Sequence, residues 1–220
     1  MQVARARSSL PVEKPQAEAS GVVDAYLFIA SAEELSTAFS GWARPLPLLD
    51  HFVTRTELNP FTQEPKTVRT RIPDATLMPA RNAVAKPDLA RFELLGRKGL
   101  DPLDLGTVGR ALLEWDEDTA HSEISGRFFV GPPDANGVLL EVPPALNARL
   151  AQLSPTDFDR VATRWADFFR KDVATIQSLA VREELLSTPN SSFVARLFDL
   201  TKVARRAVSS SRAMFLWTPS

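Results

Sequence analysis

The chain has 220 residues, a net charge of −1, 44% hydrophobic and 24% charged residues, and no cysteine. That length suits one globular domain, because single cores grow to roughly 250 residues before they split. Near-neutrality removes any global field that would draw in nucleic acid or an anionic membrane. The absence of cysteine excludes disulfide scaffolds, thiol catalysis and thiolate metal sites, and it fits a reducing compartment.

Residues 1–20, MQVARARSSLPVEKPQAEAS, carry arginines but no apolar h-region. They read as a disordered leader and not a secretory signal. No stretch approaches the ~20 apolar residues of a membrane span, so the expectation is a cytoplasmic protein. Residues 21–220 read as a single α+β domain.

VVDAYLFIA (22–30) is a continuous apolar run that predicts a strand buried on both faces. Ser31 and Glu34 have the spacing of a capping box, so a short helix should follow and stop by Gly41. After a proline-rich connector at 43–50, FVTRTEL and KTVRTRI alternate around NPFTQEP and predict an antiparallel hairpin. Its expected dry face holds Phe52, Thr54, Thr56, Leu58, Val68, Thr70 and Ile72, which leaves Arg55, Glu57, Arg69 and Arg71 outside. Residues 74–90 read as a loop and 91–95 as a short strand. Pro102, just after Asp101, predicts a helix start, with Leu105, Val108 and Leu112 on one side.

EWDEDTAH then reads as an acidic loop before two strands, SEISGRFFVG (122–131) and GVLLEVP (137–143), joined by the turn PDANG. From Pro144 the pattern becomes helical, and about 144–212 form a helical part to be packed on one face of a mixed sheet. Phe158, Val161, Trp165, Phe168 or Phe169, Ile176, Leu179 and Leu186 keep helical spacing for about eight turns. A second amphipathic helix over 193–208 places Phe193, Leu197, Leu200, Ala204 and Ala207 inward. AMFLW could return as a strand.

The chemistry-bearing residues are few. Glu114, Asp116, Glu117 and Asp118, with His121 and Glu123 nearby, could bind a hard cation or run acid–base chemistry. They match neither an EF-hand nor HExxH, and a solvated acidic segment is the preferred reading. Glycines 96, 99, 106 and 109 fit no phosphate-loop pattern, and neither His51 nor His121 sits in a triad context. Charge is nevertheless segregated. Residues 101–123 hold seven acids against Arg110 alone, whereas 51–100 hold nine bases against five acids. Patches of opposite sign can steer a protein partner.

Taken in order, VVDAYLFIA, NPFTQEP, KGLDPLDLGTVGRALL, EVPPALNARLAQL, VATRWADFF and MFLW resemble small bacterial immunity-type proteins of polymorphic-toxin and contact-dependent competition loci. The resemblance implies a toxin–antitoxin role: a cytoplasmic protein that neutralises one cognate toxin by stoichiometric binding and occlusion. No cofactor and no metal are expected, and no direct contact with nucleic acid or membrane. Glu114, Asp116, Glu117, Asp118, Arg55, Arg69 and Arg71 are the candidate partner-binding residues. The alternatives are a small metal- or substrate-dependent enzyme built on 114–123, or a scaffolding module.

Overall fold

A computed structural model describes residues 24–43, 52–58, 65–71, 78–98 and 100–219, with the backbone alone described for 24, 52–58, 65–71, 97 and 98. The expected leader, the NPFTQEP turn and most of the 43–50 connector lie outside the described residues. So do the side chains of the hairpin.

The fold is α+β. Five strands form one sheet in the order β4-β1-β7-β6-β5. They are β1 (Asp24–Ala30), β4 (Leu95–Lys98), β5 (Phe128–Phe129), β6 (Gly137–Glu141) and β7 (Ala213–Pro219). Every pairing is antiparallel, so the sheet is not mixed as the sequence suggested. The C-terminal AMFLW does return, and it returns to the centre, between β1 and β6.

Both central strands are sandwiched, and period-two alternation sorts their side chains. Ala25 and Leu27 of β1, with Met214 and Leu216 of β7, enter the larger core on one face. Phe28 and Ala30, with Phe215 and Trp217, enter a second, aromatic core on the other. Burial on both faces is why these runs are apolar throughout.

The first face is covered by helices α2 (Pro102–Leu113), α4 (Pro144–Gln152), α5 (Phe158–Val173) and α7 (Asn190–Ser209). The layer is therefore larger than the expected helical pair. On α7, Phe193, Leu197, Leu200, Ala204 and Ala207 are all fully buried, as their spacing predicts. The second face is covered by α1 (Ala32–Ala38), by Trp42, and by Leu89, Phe92 and Leu94 from the segment before β4. Ser31 and Glu34 form the expected capping box on α1. Gly41 has φ +80°, and a Cβ there would lie 2.6 Å from Ala83 Cα, so this turn requires glycine.

The hairpin β2 (Phe52–Leu58) and β3 (Pro65–Arg71) forms a separate two-stranded ribbon. Its register differs from the single wet face expected. Arg55 is opposite Val68, Arg69 opposite Thr54, and Arg71 opposite Phe52. Residues opposite one another in a ladder share a face, so the pairing divides the three arginines between the two faces.

Three further elements depart from the sequence reading. The strand expected at 91–95 begins at Leu95, because Asp88 caps a 3-10 turn at Leu89–Arg91. The acidic segment is not a loop: Asp116 caps a helix, α3 (Glu117–Ser125), that takes the first four residues of the predicted strand 122–131 and leaves β5 only Phe128–Phe129. The eight-turn helix breaks after Val173, where the Thr175 hydroxyl donates to the Asp172 carbonyl at 2.7 Å. It resumes as the short α6 (Leu179–Leu186), which buries no residue.

Candidate functional site

A cleft of about 610 Å³ opens between α2, α3 and the end of α5, within the size range of ligand sites. Helical spacing supplies its walls. Leu103, Thr107 and Arg110 line it from α2, and Glu117, His121 and Ile124 from α3. Lys171 and Asp172 of the last α5 turn, followed by Thr175 and Ile176, close the third side.

Arg110 is the organising residue. Its side chain is only 6% exposed, and its Nη1 donates to both carboxylate oxygens of Asp172, at 2.8 and 2.9 Å. The guanidinium also lies 4.4 Å over the Phe168 ring. A buried cation needs such a counter-charge, since removing water from an isolated charge is costly. One donor, Arg110 Nε, is buried without an acceptor. Neither Arg110 nor Asp172 stood out in the sequence as a site residue, although a base within a buried helical stripe signals a partner elsewhere. Below the cleft, Trp165 Nε1 donates to Thr107 Oγ1 at 2.8 Å and ties α5 to α2.

The start of α2 holds a second buried charge cluster. Asp101 and Asp104 form a reciprocal capping box, and Arg196 of α7 donates to Asp104 Oδ1 at 3.1 Å. Burial pushes the Asp104 carboxyl up to about 7, and the neighbouring Asp101 charge adds to the rise. Asp101 is likewise raised by burial. These two acids, counted in the sequence as part of an acidic patch, thus have structural partners. Asp104 is fully buried and presents no surface charge.

Glu114, Asp116, Glu117 and Asp118 are all exposed. Glu114 adopts a left-handed conformation (φ 58°) at the end of α2 and pairs with Arg164 at 3.5 Å. Both partners are exposed, so the pair contributes little to stability. Asp116 accepts the Thr119 backbone N–H at 2.7 Å, and hydrogen bonds from Thr119 hold its carboxyl below the usual range. Glu117 and Asp118 occupy the first turn of α3, where the helix dipole favours acids. The structure therefore brings Glu117, Asp118 and His121 to the cleft, and it leaves Glu114 and Asp116 outside the lining. Among the described residues no group of three or more His, Cys, Asp or Glu is placed to hold a metal ion. The side chains of Arg55, Arg69 and Arg71 are outside the described residues.

A second concavity, about 390 Å³, lies on the other sheet face between Phe39, Trp42, Phe129, Phe215 and Arg212. Arg212 is held there by Glu34 at 3.0 Å. Among the described residues no helix is long and apolar enough to cross a membrane. Compared with protein-family models, curated proteins and solved structures, the chain matches none.

Proposed function

We propose that this chain is a stoichiometric protein-binding module that docks a basic protein partner on the first turn of α3, in the manner of a toxin-neutralising immunity protein. The observation that carries the reading is the placement of four exposed carboxylates within five positions, Glu114 at the end of α2 and Asp116, Glu117 and Asp118 at the start of α3. Glu117 and Asp118 among them line a cleft whose walls are mainly apolar. Polar rims beside apolar centres are the anatomy of recognition surfaces, and a one-sign patch steers an opposite partner. A basic surface, such as the nucleic-acid groove of a nuclease toxin, would be occluded by stoichiometric binding. Arg55, Arg69 and Arg71 are proposed as a second set of anchors, since arginine is favoured at interface hot spots.

The test is expression with the product of the adjacent gene. A 1:1 complex should form on size exclusion, and Glu117→Lys with Asp118→Lys should slow its association and flatten its salt dependence, as changes in rim charge do. A neighbour that is neither toxic nor bound refutes the reading.

A further inference from the structure

We infer that the cleft between α2, α3 and the end of α5 is a socket for one lysine or arginine side chain of the protein partner. The inference rests on the docking face proposed above and adds the chemistry of what enters it. A socket for a long cationic side chain needs an apolar channel, a negative mouth and room for the adjoining peptide.

The apolar channel is provided by Leu103, Ile124 and Ile176, against which the methylene stem of a long cationic side chain packs. The sign of the lining follows from its pairing. Arg110 and Asp172 neutralise one another, which leaves Glu117 and Asp118 against Lys171. The balance is negative, and Glu117 and Asp118 are exposed. An anionic occupant is disfavoured on both counts, because the buried guanidinium is already engaged and the free carboxylates repel it. The volume of about 610 Å³ accommodates a side chain together with its flanking peptide.

Gly106 provides a way to fill the cleft. It lines the cleft from within α2, and a Cβ built on it meets only Ile124 Cγ1, at 3.9 Å. Gly106→Met therefore projects into the cleft from a helix that prefers methionine to glycine.

The experiment is a two-dimensional NMR titration of the full chain with three peptides, Ac-Gly-Gly-X-Gly-Gly-NH2, where X is lysine, norleucine or glutamate. The lysine peptide should cause saturable shifts at the amides of 103–107 and 117–124, with a millimolar Kd. The norleucine peptide should bind about two- to five-fold more weakly, the scale of one exposed ion pair, and the glutamate peptide weaker still. Glu117→Gln with Asp118→Asn should equalise lysine and norleucine, and Gly106→Met should abolish binding while the melting temperature is kept. Equal binding of lysine and norleucine peptides, preference for glutamate, no saturable shift, or undiminished binding to folded Gly106→Met each overturns the socket. The two readings fail separately. A 1:1 complex that Gly106→Met does not weaken removes the socket and keeps the docking module, whereas a lysine-selective cleft without a complex does the reverse.

Discussion

Truncating Trp165 to alanine removes the residue on which the helical layer depends. The indole is fully buried in α5, meets Phe193 of α7 edge to face at a centroid distance of 5.2 Å, and donates to Thr107 of α2. Three helices therefore lose contact at once. A buried aromatic removes ~150–250 Å² from water, which at ~25 cal/mol/Å² is about 4–6 kcal/mol. The edge-to-face pair adds ~0.5–1.5 kcal/mol and the hydrogen bond about 1 kcal/mol. Partial collapse of neighbours offsets some of this, and comparable truncations cost ~3–5 kcal/mol; the upper end is expected here. Trp165→Phe separates the contributions. It keeps the ring against Phe193 and loses the bond to Thr107, whose hydroxyl still donates to the Leu103 and Asp104 carbonyls. It should cost ~1–2 kcal/mol. Urea unfolding followed by circular dichroism at 222 nm reads both. A loss below about 1 kcal/mol for Trp165→Ala, the scale of a surface change, would refute the placement of this helix face.

Two glycines of α2 should respond in opposite directions to the same change. Gly106→Ala meets only ordinary contact and should stabilise by ~0.5–1 kcal/mol through helix propensity, whereas a Cβ on Gly109 would overlap the Trp115 ring and should cost ~1–3 kcal/mol in the same urea assay. Asp104 has a raised native pKa, so between its unfolded value of 3.8 and about 7 the native state holds a proton that the unfolded chain has lost, and burial raises Asp101 in the same direction. That contribution is complete below the unfolded value and is lost as pH rises through about 7. Urea stability should consequently increase as pH falls from 7.5 to 5, with a slope of up to about 1.4 kcal/mol per pH unit per proton, and Asp104→Asn should flatten it. Arg110→Met strands Asp172 and should cost about 3 kcal/mol, the low end for a buried pair because Asp172 keeps 20% exposure; Arg110→Met with Asp172→Leu should recover most of the loss on thermal melting.

What the sequence disclosed follows the range of the forces involved. Elements specified locally are where the pattern put them: the Ser31–Glu34 box, Pro102 at the start of α2, the five buried positions of α7 and the apolar run of β7. The misreadings arise where two local signals compete. SEISGRFFVG alternates like a strand, but Asp116 caps a helix, and Ala120 and Ile124 bury one face of it, so helix wins through Ser125. Residues 158–186 keep one helical period with no proline or glycine to interrupt it, and the break falls instead at the Thr175–Asp172 hydrogen bond. The floor of the cleft was invisible for a different reason. Arg110 and Asp172 are 62 positions apart, and only the packing of α2 against α5 makes them partners. The acids at its mouth were visible, but their double use was not. Asp116 is committed to capping α3, so replacing it should weaken the helix whether or not a partner binds. Glu117 and Asp118 accept no capping bond, and their interaction with the helix dipole is small and screened by salt. A loss of binding on neutralising Glu117 and Asp118, with stability retained, therefore reports on recognition, whereas the same loss on replacing Asp116 reports on the helix that presents them.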